Sequence, residues 1–404
     1  MDLENCIWVS TSVNGPQYLL MKNANRHGLC TGATGTGKTV TLQLLAEEFS
    51  RRGVPVFATD IKGDLSGIAK TGNASAALVE RAAAVGVQYV PDTFPVALWD
   101  VFGKQGKPIQ VTVESMGAML MAHMLQLNDT QSGVLSAAFK HARDNNIILY
   151  DLNHLRNLLV SMRDNADELM RIYGNISKPS IGAILRNILV LEEQGGNHFF
   201  HSNNFDLATL GYLDNKTGRG TINLLCADRL MAAPNLYASF LLWLITTLYD
   251  TLPEVGDCDK PKIVFFFDEA HLLFSDVPEN LLKKIEQTVR LIRSKGVGIY
   301  FVTQNPIDVP ETVLGQLGLR IQHRLSAYTP RDQKAIRSAA ETFRQNPAID
   351  SARTIMELGK GEVLISSLDE NGVPCMVERG MVLPPTAQIG ALSIEERNLI
   401  MKGI

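Results

Sequence analysis

The chain has 404 residues, 45% of them hydrophobic and 20% charged, and its formal net charge is −4. This length suits one large α/β core with insertions, and the composition excludes a disordered, collagen-like or disulfide-stapled protein. The negative balance excludes a basic nucleic-acid surface that covers the whole chain.

The cysteine count and the hydropathy pattern indicate the compartment. The five cysteines are odd in number and form no CxxC pair, which argues against a disulfide framework or a zinc site and for a reducing compartment. No charged segment followed by an apolar run marks a signal peptide, and no run of about 18 apolar residues suggests a membrane span. We therefore expect a cytoplasmic protein without a membrane partner.

Short apolar runs rich in β-branched residues alternate with helical patterns along most of the chain. This alternation predicts an α/β fold with a mainly parallel sheet. The predicted core strands are residues 28–31, 54–59, 221–225, 262–267, 298–303 and 319–324. An amphipathic helix over 40–52 follows the first strand and ends before Gly53, a usual stop signal.

Two further regions have a different pattern. Residues 113–195 carry helical patterns and few strand-like runs, which predicts a helical insertion that closes at Gly195-Gly196-Asn197. We expect residues 1–112 and 196–404 to form the α/β core around it. Beyond position 329, helices over 330–343 and 352–358 precede a hairpin whose strands, 361–367 and 373–379, flank an Asn-Gly turn.

A glycine-rich loop follows the first predicted strand. Residues 32–39 match the pattern G-x-x-x-x-G-K-[ST], whose backbone N–H groups and following helix start cradle phosphates. The alternative interpretation is a glycine-rich turn that binds no ligand. In this loop Lys38 would neutralise the β- and γ-phosphates, and Thr39 would offer its hydroxyl to Mg²⁺. The predicted nucleotide-binding residues are Gly32, Ala33, Thr34, Gly35, Thr36, Gly37, Lys38, Thr39 and Val40.

An acidic pair ends the strand predicted over 262–267. Ligands of open α/β sheets bind at the carboxyl ends of strands. Asp268 can hold Mg²⁺ there through its water shell, and Glu269 can orient and deprotonate the attacking water. Carboxylates also follow strands as plain loop starters. His271 either senses phosphate or, as the commoner case, packs or caps.

Polar residues near other strand ends complete the predicted site. Gln304 would sit beside the γ-phosphate and the attacking water, although it also suits the turn before Pro306. Phosphoryl transfer needs positive charge, and Arg293 and Arg320 are the preferred donors, acting across a subunit interface. Arg293 also suits a helix C-terminus, which favours cations.

Two further features of the sequence allow more than one interpretation. Asp60 or Lys62, after the second core strand, could reach the nucleotide or Mg²⁺, or they form a plain turn. Residues 280–344 hold 11 Lys/Arg against 5 Asp/Glu. This local excess is either a confined basic surface or an ordinary solvated face.

These motifs, in this order, resemble the HerA/FtsK branch of RecA-like ATPases, and more closely a bacterial HerA-like helicase-domain family. The resemblance spans most of the chain. It rests on residues 31–39, 60–65, 268–271, 293–296, 303–306 and 358–362.

The resemblance implies a RecA-like sheet with an additional-strand catalytic glutamate, ATP and Mg²⁺ as cofactors, and a ring of six copies. Nucleotide would lie between neighbours, with arginine fingers supplied in trans, and DNA would be translocated, with a nuclease or another protein as a further partner. We expect three features of these families to be missing from this sequence. About 27 residues precede the first core strand, too few for the β-barrel of HerA proteins, and the membrane segments and winged helix of FtsK are not seen.

Three functions follow from these features. The first is a hexameric, helicase-like ATPase that translocates DNA. The second is an ATPase that energises a protein-transport or secretion machine without DNA. The third is a nucleotide-binding scaffold without turnover, against which Glu269 argues, because a scaffold needs no catalytic base.

Overall fold

The computed structural model describes residues 3–202, 205–256, 258–275 and 277–403. Its strands are β1 Cys6–Ser12, β2 Gly15–Leu20, β3 Gly28–Thr31, β4 Val56–Asp60, β5 Val96–Asp100, β6 Lys107–Pro108, β7 Ile222–Cys226, β8 Ile263–Phe267, β9 Val297–Thr303, β10 Leu319–Gln322, β11 Glu362–Ser366 and β12 Glu378–Val382. Its α-helices are α1 Lys38–Arg51, α2 Ala76–Ala84, α3 Val113–Met124, α4 Asp129–Asp144, α5 Leu152–Asp164, α6 Ala166–Tyr173, α7 Lys178–Glu193, α8 Gly196–Phe199, α9 Pro234–Thr251, α10 Glu279–Leu291, α11 Glu311–Leu314, α12 Pro330–Glu341, α13 Ser351–Glu357 and α14 Ile394–Gly403.

All twelve strands form one sheet, in the order β2-β1-β12-β11-β10-β3-β9-β8-β4-β7-β5-β6. The eight strands from β10 to β6 are parallel, and β11, β12, β1 and β2 extend this sheet with antiparallel pairings. The central strands β4, β7, β8 and β9 are buried along their whole length, as the near-continuous apolar runs of a sheet covered on both faces require. The predicted mainly parallel α/β sheet is therefore confirmed.

Helices cover both faces of this sheet. On one face, α1 packs Phe49 against Phe266 and Tyr300, with ring centroids 6.2 and 5.7 Å apart. On the other face, helices between α3 and α10 share one apolar core with sheet residues such as Phe57 and Phe265. In the described part of the chain, no helix has both the length and the apolar character needed to cross a membrane.

Local sequence signals explain several helix boundaries. Asn128 and Gln131 form a reciprocal capping box at the start of α4, as Thr329 and Asp332 do for α12. Helix α7 ends at Glu193, and Gly195 takes φ +95°, as the glycine signal predicts. The prediction of a loop at 195–197 is wrong beyond that point, because residues Gly196–Phe199 form one more helical turn that packs Phe199 in the core.

The predicted carboxyl-terminal hairpin exists, but its second strand lies further along the chain than predicted. Its Asn-Gly turn closes as predicted, since the N–H of Gly372 donates to Asp369 O at 3.0 Å. Strand β12, however, begins at Glu378 rather than at position 373. The preceding residues are held by another loop: the N–H of Val377 donates to Arg344 O at 3.0 Å, and the amide of Asn346 donates to Val377 O.

Candidate functional site

The glycine-rich loop connects β3 to α1 at the carboxyl-terminal edge of the sheet. Gly32, Gly35 and Gly37 take φ values of +151°, +79° and +119°, which residues with a Cβ rarely adopt. A Cβ on Gly32 would also lie 2.4 Å from the Cβ of His323. The glycines therefore allow both the turn and its close packing, and the loop leads directly into the first turn of α1, where N–H groups bind anions.

Lys38 is the first residue of α1, and its side chain folds back over the loop. Its Nζ donates to the carbonyl oxygens of Gly32 and Ala33 at 2.6 and 3.1 Å. Burial lowers the pKa of this ammonium group, while Asp268 and Glu269 lie near enough to oppose that shift. The cation therefore stands between the loop and the acidic pair, where a bound polyphosphate would need it.

Three oxygen-bearing side chains converge beside the loop. Thr39, Asp60 and Asp268 line a cavity of about 10 Å³, together with Lys62 and Asp64 among others. Burial raises the pKa of Asp60 to about 7, and burial followed by the charge of Glu269 raises the pKa of Asp268 to about 6. A cation between these carboxyl groups would reverse both shifts.

The donor set suits Mg²⁺, a hard cation that prefers oxygen ligands. Among the described residues, no group of three or more His, Cys, Asp and Glu side chains is arranged to hold a metal without help. Sites of this kind are completed by the phosphates and by water, with one or two carboxylates and a hydroxyl from the protein. Thr39 and Asp268 fit that role, and Asp60 is placed to add a second carboxylate.

Glu269 follows Asp268 in an uncommon backbone conformation, with φ +47° and ψ +47°. Its N–H donates to Asp268 Oδ1 at 2.9 Å. Its carboxylate accepts a hydrogen bond from Gln304 Nε2, at 3.2 Å from Oε1. Oε2 is buried without a hydrogen bond, and His271 Nδ1 lies 3.4 Å from it. The backbone therefore turns sharply between the two adjacent acids.

A buried network fixes the strand end that carries the acidic pair. The N–H of Asp268 donates to Thr59 Oγ1 at 2.9 Å. The hydroxyl of Tyr237 lies 3.1 Å from the same Thr59 oxygen and 3.0 Å from the carbonyl oxygen of Asp268. Neighbouring strands β4 and β8 are thus tied together at the site, which holds Asp60 and Asp268 in one place.

The end of β10 supports the phosphate loop, a contact that the motifs did not reveal. His323 is fully buried, and its Nε2 lies 3.0 Å from Thr41 Oγ1 of α1. Burial lowers the pKa of this imidazole to about 3, so it is neutral at physiological pH. The N–H of Ala33 donates to Arg324 O at 2.9 Å. In the sequence, a single histidine after an apolar strand does not indicate that it supports the phosphate loop.

The carboxyl-terminal segment also reaches the site. Arg397 on α14 approaches Ser66 Oγ at 3.3 Å and bonds to the side chain of Gln105, and its charge acts on Asp60. Glu47 of α1 is fully buried and accepts hydrogen bonds from the backbone N–H groups of Thr386 and Ala387, at 2.6 and 3.1 Å. No sequence pattern connects positions so far apart in the chain.

Arg293 and Arg320 lie away from their own phosphate loop. Arg293 precedes β9, and Arg320 lies near the start of β10, so both belong to the amino-terminal edge of the sheet. Arg320 donates to the carbonyl oxygens of Leu314 and Thr342, at 2.9 and 2.8 Å. The structure thus brings together Lys38, Thr39, Asp268, Glu269 and Gln304 and separates the two arginines from them.

The comparisons agree on one family and one fold. The sequence profile of the family described as "Helicase HerA-like C-terminal" matches residues 6–403. The "Probable helicase MJECL08" of Methanocaldococcus jannaschii is 30% identical over 125 residues, which are 30% of this chain and 22% of that relative. This chain therefore matches less than a quarter of that relative's length.

Solved structures share the architecture at low sequence identity. The unbound conjugative coupling protein TrwBdeltaN70 matches with a TM-score of 0.61 and 14% identity, over 95% of this chain and 90% of its own. VirB4 of Thermoanaerobacter pseudethanolicus matches with a TM-score of 0.57 and 16% identity, over 96% and 97%. TrwB in complex with ADP and Mg²⁺ matches with a TM-score of 0.60 and 14% identity, over 93% and 88%. The predicted RecA-like fold is confirmed, and the chain belongs to the helicase HerA-like C-terminal family.

Proposed function

We propose that this chain is a Mg²⁺-dependent ATPase that works as a ring-forming motor and translocates DNA. The observation that carries the ATPase is the convergence of Thr39, Asp60 and Asp268 beside the phosphate loop, with Glu269 and Gln304 on the neighbouring strand ends. The family description names a helicase, and the similar TrwB fold is known with ADP and Mg²⁺, which supports the same ligands here.

The proposed mechanism assigns each group one task. The N–H groups of residues 32–39 and Lys38 bind the β- and γ-phosphates and neutralise the charge that develops during transfer. Thr39 and Asp268 would hold Mg²⁺, which would supply Lewis-acid polarisation of the phosphate oxygens. Glu269 orients an attacking water and accepts its proton, and Gln304 positions both Glu269 and the γ-phosphate side of the site.

The placement of Arg293 and Arg320 supports assembly. Both lie at the sheet edge opposite the phosphate loop of their own chain, so they cannot complete that site from within one copy. In a ring they would face the nucleotide of the neighbouring copy and stabilise its transition state. A hexamer is the arrangement proposed, with nucleotide between adjacent copies.

The test is ATP hydrolysis with and without Mg²⁺, and with double-stranded or single-stranded DNA over a range of salt. We expect hydrolysis that requires Mg²⁺, is lost in Lys38→Ala, and rises with DNA in a salt-sensitive way. Hydrolysis that no nucleic acid stimulates would favour the alternative, an ATPase that energises a protein-transport machine. Nucleotide binding without any turnover would favour the scaffold instead.

A further inference from the structure

A second cationic cavity lies at the amino-terminal edge of the sheet. It has a volume of about 380 Å³ and is lined by four arginines from separate segments, Arg26, Arg293, Arg320 and Arg344. The other lining residues are Gly315, Gln316, Leu317, Gly318, Thr342, Phe343, Ser366, Leu368, Gly372 and Pro374. The described lining contains no aspartate or glutamate. We infer that this cavity is a second anion site in each chain, built for a compact phosphate group.

The hydrogen bonds of these arginines leave their charges uncompensated. Arg320 donates to two backbone carbonyls, and Nη1 of Arg344 donates to Pro374 O at 2.9 Å. Carbonyl acceptors satisfy donors but neutralise no charge. Within the described ranges, none of the four arginines lies within ion-pair distance of a carboxylate.

Arginines elsewhere in the chain do find carboxylates. Asp92 forms ion pairs with both Arg51, at 2.7 Å, and Arg219, at 2.8 Å. Elsewhere in this chain, therefore, clustered arginines are paired with acidic residues. Arg320 is partly buried, which lowers its pKa, while Arg293 and Arg344 are exposed to solvent. A bound anion would supply the negative charge that the described lining lacks.

The four arginines favour a multiply charged oxyanion such as phosphate over a halide. Planar guanidinium groups donate paired N–H bonds that match phosphate oxygens, and several arginines can share one phosphate. Glycines keep the wall close: a Cβ at Gly372 would lie 2.8 Å from Arg26 Nη1, and one at Gly318 would lie 3.2 Å from Arg26 Cβ. A volume of about 380 Å³ suits inorganic phosphate or a nucleotide's polyphosphate tail better than a long polymer.

Because Arg293 and Arg320 are also the donors proposed to act on a neighbouring copy's nucleotide, the cavity is tested through its other two arginines, in the Lys38→Ala background, which weakens the phosphate loop. Calorimetric titration at low salt would follow inorganic phosphate and, separately, ATP. The test variant adds Arg26→Gln and Arg344→Gln, neither of which belongs to the proposed ATPase machinery. The matched control adds Arg331→Gln and Arg337→Gln, which remove two exposed charges on α12 outside the cavity. Thermal melting checks that all variants fold.

We expect the Lys38→Ala chain to bind phosphate, and the cavity variant to bind at least tenfold more weakly than the α12 control. If inorganic phosphate binds, a single phosphate group is enough to occupy the cavity. If ATP binds and inorganic phosphate does not, the cavity recognises the polyphosphate tail. Equal binding by the cavity variant and the control, or binding of neither inorganic phosphate nor ATP, would overturn the inference. So would binding of a short single-stranded oligonucleotide with no binding of phosphate.

Discussion

The side-chain amide of Gln304 donates a hydrogen bond to Glu269 Oε1 at 3.2 Å, although the two residues end different strands. Strands β8 and β9 are adjacent and parallel, so their carboxyl ends bring these side chains together. The other oxygen of Glu269 is buried without a hydrogen bond. Gln304 therefore fixes the orientation of a carboxylate whose second oxygen accepts no hydrogen bond from the described residues.

The first prediction concerns Glu269 itself. Glu269→Gln keeps the size and the contact to Gln304 but removes the base. We expect ATP to bind as well as in the parent chain, while the hydrolysis rate falls by roughly 10²–10⁴-fold, the usual contribution of a general base. Steady-state hydrolysis and fluorescent-nucleotide binding measure the two effects. The control is Glu370→Gln in the exposed hairpin turn, and equal turnover in both variants would remove Glu269 from its role.

The second prediction separates orientation from binding. Gln304→Ala removes the donor to Glu269 and should lower kcat by roughly tenfold or more, the cost of a misplaced catalytic group. ADP affinity should remain within about twofold, because the phosphate loop is untouched. Gln333→Ala, on the exposed face of α12, is the matched control. A variant that loses nucleotide affinity and keeps kcat would contradict this assignment.

The third prediction concerns pH and the stability of the fold. Burial raises the pKa of Asp60 to about 7, well above its value of about 3.9 in an unfolded chain. Between these two values the folded chain binds more protons than the unfolded one, so the free energy of unfolding falls as pH rises from 4 to 7. Asp60→Asn removes this penalty and should stabilise the chain at pH 8 by roughly 2–4 kcal/mol.

Urea unfolding at pH 5 and pH 8, without nucleotide or Mg²⁺, measures this effect. The stability gained from Asp60→Asn should be larger at pH 8 than at pH 5. Asp228→Asn, at an exposed position two residues beyond the end of β7, is the matched control. Identical gains at both pH values would mean that Asp60 is ionised in the fold across this range.

The fourth prediction tests the link between α1 and the carboxyl-terminal segment. Glu47→Ala leaves the N–H groups of Thr386 and Ala387 without their acceptor in a buried place. We expect a loss of roughly 2–4 kcal/mol in unfolding free energy, because unsatisfied buried donors are costly. Glu48→Ala removes only partly exposed ion pairs to Arg51 and Arg52 and should cost about 0–1 kcal/mol. Equal losses in thermal or urea unfolding would contradict this account.

The predicted core strands all exist in the sheet, because buried parallel strands carry apolar runs long enough to be seen in one sequence. Of the remaining strands, β11 and β12 were predicted as a hairpin, whereas β1, β2, β5 and β6 were missed. Strands β1 and β2 form a hairpin around Asn14-Gly15, with Gly15 at φ +112°, and β1 pairs with β12 near the other end of the chain. The Asn-Gly signal was present, but pairing with a strand some 370 positions away leaves no local pattern.

The residues of the candidate site also fall into two groups, those that the sequence predicts and those that only the structure reveals. Lys38, Thr39, Asp268, Glu269 and Gln304 follow strand ends, so the rule for parallel sheets was enough to group them. Asp60 also follows a strand, but a turn explained it equally well until its burial was known. His323 and Arg397 reach the site through tertiary packing alone, and a sequence gives no sign of such contacts.

The central claim is that residues 32–39 and the acidic pair act on one bound Mg·ATP. The most direct measurement is an experimental structure of the Glu269→Gln variant with ATP and Mg²⁺. We predict the triphosphate on the loop amides, with the metal about 2.1 Å from Thr39 Oγ1 and linked to Asp268 directly or through water. An unoccupied loop at saturating ATP, or a nucleotide bound away from Asp268 and position 269, would contradict the account.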